Sequence, residues 1–522
     1  MALLDPTVLG LAPGFFWSIF VVGLGIIYLI YTVVYELFMS PLSVYPGPPL
    51  WAITSIPYNI AFLSGHMPTI VTKIHERYGD VVRLAPNRLS YTDPEAWQAI
   101  RGHLKAGQVE HDKERSSFYF WSRNNLLGAP RDAHARIRRS LAHGFSAKSL
   151  QAQEPLIMQY VDLFIERLCG IAYANGSGAS KAPAGIANMV AWYNFATFDI
   201  IGDLSFGSPF GCLQESRYHP WVTTIMDSVG QFPQLLILKR HFPSLLDFLF
   251  KYKLIGGGQR GQLNLAAEKV DQRLALNTER PDFIDAMTKH ADDGREDKVR
   301  PLTREEIIEN ARIVVLAGSE TTATTLSGVT YYLAKLPEIQ RKVAKEVRSA
   351  FKSESEININ GVQNLTYMIA VLNEAIRMFP PVPTTLPRIC KPGGDIICGW
   401  RVPEGTALDI FPHAMNYCSR NFADPYEFIP ERWMDETDAE VFGTKLDRSR
   451  QHALQPFSVG PRNCIGKNLA YVEMRVILAR FIWNFDFELA DRADVYWAVN
   501  CRHYNLTVKG KLNVRLTPAQ RV

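Results

Sequence analysis

The chain has 522 residues, 47% of them hydrophobic and 21% charged, with a formal net charge of +4. Apolar and aromatic residues run along its whole length, which supports a large core and excludes general disorder; the small net charge, with no run of Lys or Arg, excludes the footprint of a nucleic-acid binder. Seven cysteines, an odd number without a C-x-x-C pair, argue against a disulfide framework or a zinc cluster.

From Phe15 to Tyr35 no residue is charged, and at about 1.5 Å per residue this stretch spans roughly 30 Å, the hydrocarbon thickness of a bilayer. Residues 1–40 are therefore expected to form a single-pass membrane anchor. Met1 to Gly14 contains no Lys or Arg, unlike the basic start of a cleaved signal peptide. The first Lys afterwards is Lys73, so charge leaves the orientation open. Residues 41–50, with Pro41, Pro46, Pro48 and Pro49, read as a stiff hinge, and 51–522 as one large domain without linker or repeat.

Within that domain, alternation predicts a strand pair over Val81–Tyr91 turning near Pro86-Asn87, a second around Ile396–Ile410 and a third across Lys509-Gly510-Lys511. Helical periodicity dominates elsewhere, so the expected class is mainly α with small β-sheets. Ala172–Gly185, Gly256–Gly261 and the charged stretch Ala291–Val299 read as surface loops. Phe232–Ile255 holds two Leu/Phe-rich bursts broken by Lys239, Arg240 and His241, suited to a packing surface or to dipping into a membrane.

Thr303 and Glu306 form a T-x-x-E capping box, and Pro337 stops the pattern it opens, which bounds a helix of about 33 residues. In its middle, Ala317-Gly318-Ser319-Glu320-Thr321-Thr322 puts small and hydroxyl residues where a packing helix would place Leu or Ile; a close helix crossing and a functional site both fit. E-x-x-R occurs as Glu309/Arg312, Glu338/Arg341 and Glu374/Arg377, and only the last pair lies in an apolar helix ending at Pro380-Pro381. Finally, Cys464 in Phe457-Ser458-Val459-Gly460-Pro461-Arg462-Asn463-Cys464-Ile465-Gly466 precedes a helix running from Lys467 to about Trp483. A helix N-terminus and Arg462 favour a thiolate there, and Gly460 and Gly466 allow close approach, so a presented, reactive thiolate is expected.

This cysteine loop resembles that of the cytochrome P-450 family of heme-thiolate monooxygenases, F-x-x-G-x-R-x-C-x-G, at Phe457, Gly460, Arg462, Cys464 and Gly466. Three further segments are similar to the family in the same order. The long-helix motif A/G-G-x-D/E-T-T/S corresponds to Ala317, Gly318, Glu320, Thr321 and Thr322. E-x-x-R corresponds to Glu374 and Arg377, followed by Arg432 in Pro430-Glu431-Arg432-Trp433. W-x-x-x-R corresponds to His134 and Arg138, with His for Trp, and Arg388 falls in the place of a further propionate donor.

The resemblance implies the mainly helical P-450 fold and one b-type heme with Cys464 as axial ligand to its iron. It implies Phe457, Gly318, His134, Arg138, Arg388 and Arg462 around the heme, Glu320 and Thr321 as the proton relay to bound O2, and a structural charge network of Glu374, Arg377 and Arg432. Arg136 and Arg139 are expected to face solvent or a partner. Substrate contacts are expected from Ile313, Leu316 and Ala317, from Val382 to Leu386, and from Phe118-Tyr119-Phe120-Trp121. Anchored members face the cytosol from the endoplasmic reticulum and take electrons from NADPH through a flavoprotein reductase, for which Arg462, Lys467 and Arg475 offer a basic surface. With Asp199 to Gly207, the chain is similar to filamentous-fungal members that hydroxylate polyketides, terpenoids or alkaloids. A heme-thiolate isomerase or dehydratase that does not need O2 and a non-catalytic heme-binding membrane protein are the rival classes.

Overall fold

In the computed structural model, described for residues 13–105, 107–115, 122–173, 185–276, 280–289, 300–434 and 450–519, helices predominate and the strands gather into small sheets. The N-terminal helix Pro13–Val34 continues as a wide turn, Tyr35–Met39. Its segment Trp17–Met39 is long and apolar enough to cross a membrane, and none of it is buried. The proline segment that follows lies along the sheet: Arg83 N–H donates to Pro46 O at 2.8 Å, and the Tyr45 hydroxyl to Arg401 O at 2.7 Å. The buried Arg83 guanidinium also donates to the Glu36 carbonyl at 2.7 Å and pairs with its carboxylate, so the last turn of the apolar helix is tied to the domain.

The Thr303–Glu306 capping box is formed and opens the long helix Arg304–Lys335; Pro337 begins the next helix. Against the long helix packs Met189–Phe206, in which nearly every residue is buried, as an apolar helix surrounded on all sides must be. Here Gly318 finds its reason: a Cβ would sit 2.7 Å from the Ile201 side chain. That glycine serves a helix crossing, and Gly318 is not among the residues that line the cavity beside this helix.

Val81–Ala85 and Arg88–Tyr91 form the first predicted strand pair and join Ala407–Asp409, Arg388–Ile389 and Asp112–Lys113 in a five-stranded sheet. Asp395–Ile397 and Trp400–Val402 make a separate hairpin, whose two-residue turn places Cys398 and Gly399 at φ 49 and 79°. The third pair differs from expectation. Thr507–Val508 pairs with Arg502–His503, whereas Asn513–Pro518 pairs with Ile186–Asn188 and Phe485–Leu489. Gly257–Ala275 is a helix, so the glycine run read as a loop is mostly its first turn. The Phe232–Ile255 bursts fall in helices Pro220–His241 and Pro243–Lys251, the second leaving Phe248 exposed. Most of the 172–185 loop, the 291–299 stretch and Phe118 to Trp121 lie outside the described residues.

Candidate active site

A cavity of about 320 Å³ lies between the long helix, residues 380–388 and the cysteine loop. Ile313, Ala317 and Thr321 reach it from the long helix, Val382 and Leu386 from the chain after Pro380-Pro381, and Phe457 and Cys464 from the loop. Leu316, expected beside Ala317, instead packs against the core on another face of the helix.

The loop is held from behind. Gly460 has φ 75°, and a Cβ there would stand 1.9 Å from the Arg101 carbonyl, so only glycine allows helix Glu95–Arg101 to pack this close. Cys464 N–H donates to Phe457 O at 2.9 Å, and the Phe457 ring packs on Tyr471 of helix Lys467–Asn484. The thiol differs from the sequence expectation. Its exposed surface lies on the cavity wall, but the protein mass around it raises its pKa; Gly466 N–H, Arg138 and Lys467 pull the other way without prevailing. A bound cation is what would hold it as thiolate. Of the other cysteines, Cys212, Cys390, Cys418 and Cys501 are buried.

At one end of the cavity stand Arg101, Lys113, His134, Arg138, Arg388 and Arg462. Arg138 donates to the Asn463 carbonyl and side chain at 2.6 and 2.5 Å. Arg388 and Arg462 both pair with Glu110, the first at 3.4 Å. Burial, with Arg462 and Arg388 nearby, pushes the Lys113 ammonium down to about 6; the same causes with Lys113 and Arg138 hold His134 near 3, so it faces the cavity neutral. Arg101, Lys113 and Glu110 escaped the sequence reading, because no motif marks a loop that converges only in three dimensions. Arg136 was misjudged: it donates to Glu306 at 3.0 Å in a half-buried ion pair, while Arg139 is exposed. Arg462 points inward to Glu110, so of the expected basic surface Lys467 is the exposed member, with Arg475 partly buried over Tyr471.

Glu320 and Thr321 diverge. Thr321 lines the cavity and its hydroxyl donates to Ala317 O at 2.7 Å. Glu320 is turned away and buried; its carboxylate accepts from Lys509 Nζ at 2.5 Å, and Lys509 also reaches the Thr324 hydroxyl at 2.7 Å. Behind the cysteine loop, Glu374 accepts from Arg377, Arg432, Trp433 Nε1 and Ile429 N–H, all within 3.0 Å and fully buried on the Glu374–Arg377 pair.

This donor set fits a heme: a single soft sulfur, Cys464, on an apolar wall, and one edge crowded with guanidinium groups, Arg388 Nε among them buried without a partner. Among the described residues no group of three His, Cys, Asp or Glu is placed to hold a metal, so an ion on Cys464 would need ligands from outside the chain.

Comparison with known proteins agrees. Residues 45–497 match the cytochrome P-450 family model. Curated relatives include cytochrome P-450 monooxygenase astJ of Aspergillus oryzae, 41% identical over 94% of both chains. Trichothecene C-15 hydroxylase of Fusarium sporotrichioides is 40% identical over 95% of this chain and 97% of its own. Averantin hydroxylase of Dothistroma septosporum is 39% identical over 93% and 88%. Motif, cavity and relatives together place the chain in the cytochrome P-450 family, as a P-450 monooxygenase of heme-thiolate type.

Proposed function

We propose that the protein is a membrane-anchored monooxygenase that inserts one oxygen atom from O2 into a small lipophilic compound of secondary metabolism, a polyketide, terpenoid or alkaloid. One observation carries the site: an apolar cavity bounded by the Cys464 thiol and by the basic side chains of Arg101, Arg138, Arg388 and Arg462. Cys464 would hold the iron, and Arg138, Arg388 and Arg462, with Arg101 and Lys113, the propionates. Bound there, the heme would supply the activation of O2.

The chain's own residues do the rest. The guanidinium groups fix the orientation of the carboxylate edge. Ile313, Val382 and Leu386 exclude water from the reacting face. Thr321 Oγ1 holds a proton on the cavity wall, and Glu320 beside it on the long helix is paired with Lys509 from the C-terminal segment. The names of the trichothecene and averantin hydroxylases support the substrate class. Electrons come from NADPH through a flavoprotein reductase docking near Lys467, and the helix through Met39 anchors the chain in the endoplasmic reticulum with the domain in the cytosol.

The test is the reduced carbon monoxide spectrum of the purified full chain. A thiolate-type Soret band lost in Cys464→Ala supports the reading; a folded, heme-loaded wild type without that band overturns it.

A further inference from the structure

Beside the main cavity lies a second one of about 20 Å³, room for one oxygen atom with its hydrogen. Thr384 lines both. Around the smaller cavity, the Thr384 and Thr385 hydroxyls, Asn505 Oδ1 and Arg240 Nε are all buried without a hydrogen-bond partner. Thr384, Thr385 and Asn505 are 3, 6 and 8% exposed, so bulk water does not satisfy them. Four such atoms, from three separate parts of the chain, belong to residues that line this one small cavity, although a buried polar group without a partner is costly and rare. The site is built for a polar atom that the chain does not provide.

Its electrostatics narrow the choice. Arg240 shares its surroundings with Arg88, which pairs with Asp409 at 2.8 Å and Glu114 at 3.4 Å. Two guanidinium groups thus face two carboxylates, and no net charge is left to draw in an anion. The orphan set contains a pure donor, Arg240 Nε–H, an acceptor, Asn505 Oδ1, and two hydroxyls able to do either. A group that both donates and accepts satisfies it, and of the remaining wall Phe62, Leu236, Pro387 and Phe411 are apolar and Tyr58 is aromatic with a hydroxyl.

We propose that this annex is a specificity subsite that takes a hydroxyl group of the substrate, so that the protein selects hydroxylated lipophilic compounds over the corresponding hydrocarbons. The proposal rests on the monooxygenase reading for its main cavity, and the experiment separates the two. Heme-loaded full chain is first checked for its thiolate-type carbon monoxide band, whose absence counts against that reading alone. Affinities for 4-nonylphenol, 4-nonylanisole and nonylbenzene are then measured by equilibrium dialysis, in wild type and in Thr384→Val, Thr384→Ser and Asn505→Leu.

The ratio of phenol to nonylbenzene affinity is expected to fall about three- to tenfold in Thr384→Val and in Asn505→Leu, and to survive in Thr384→Ser, which keeps the hydroxyl. The anisole, an acceptor without a donor, falls between the two. A ratio equal in wild type and Thr384→Val overturns the proposal, as does a wild type that shows no preference; the annex then holds a structural water only.

Discussion

Arg377 makes five hydrogen bonds from a fully buried position: two to Glu374, and one each to the carbonyls of Asn416, Pro425 and Glu427. Arg377→Lys preserves the charge but offers at most three donors from a single atom. At least two of the five hydrogen bonds to a buried charged group are therefore lost in the interior, at about 1–3 kcal/mol each, for a total of roughly 2–6 kcal/mol. Against a total stability on the order of 5–15 kcal/mol, that is a large share. The damage should spread to the cysteine loop, because Glu374 also binds Arg432 and Trp433, and Gln451 donates to the Arg432 carbonyl. Urea unfolding of the heme-loaded protein, followed by tryptophan fluorescence and by the Soret band, measures both effects. A variant whose midpoint moves by less than the equivalent of about 0.5 kcal/mol would show that the network is slack and the reasoning wrong.

Two further perturbations follow from buried charge. Lys509→Met leaves the Glu320 carboxylate buried without its cation and should cost about 3–5 kcal/mol, while the Glu320→Gln/Lys509→Met double variant recovers most of it; thermal unfolding checks this, and a double variant as unstable as the single one refutes the pairing. Glu473, buried between helix Lys467–Asn484 and Thr322, has its carboxyl pushed up from 4.5 to about 8 by burial. The folded state therefore keeps a proton that the unfolded chain releases, so this residue's contribution falls as pH rises from about 4.5 to 8. Glu473→Gln removes that loss and should be more stable than wild type by several kcal/mol at pH 8.5 but little different at pH 4.5; urea midpoints at the two pH values that shift equally would contradict it.

Features carried by local chemistry could be read in advance. The capping box needs only Thr303 and Glu306, one turn apart, whereas the alternation that predicts a strand pair around Ile396–Ile410 does not locate its Cys398-Gly399 turn, and Ala407–Asp409 joins the other sheet. The cysteine loop is local in its Cys464 N–H to Phe457 O bond, although Gly460 answers to the Arg101 carbonyl far upstream. What escaped depends on distance along the chain. Lys509 lies 189 residues from its partner Glu320, and Arg136 lies 170 from Glu306. Neither ion pair leaves a trace in periodicity: one holds Glu320 off the cavity wall, and the other draws Arg136 from the solvent expected for it onto Glu306. Gly318 shows the same effect at close range: the motif marks the glycine, but the helix it admits, through Ile201, comes from more than a hundred residues upstream.

The cationic end of the cavity gives these long-range contacts a common logic. Lys113, His134, Arg138, Arg388 and Arg462 come from four separate segments, and burying them together is unfavourable, as the depressed Lys113 and His134 record. Glu110 offsets part of the repulsion by pairing with Arg388 and Arg462, and Lys113 Nζ donates to the carbonyls of Leu127 and Ala129. One internal carboxylate thus stands against several cations. The deficit is what a ligand with two carboxylates would fill, and its binding energy would then come partly from relieving repulsion already built into the folded chain. Ligand binding and folding draw on the same charges, so stability measured without the ligand should understate that of the loaded protein.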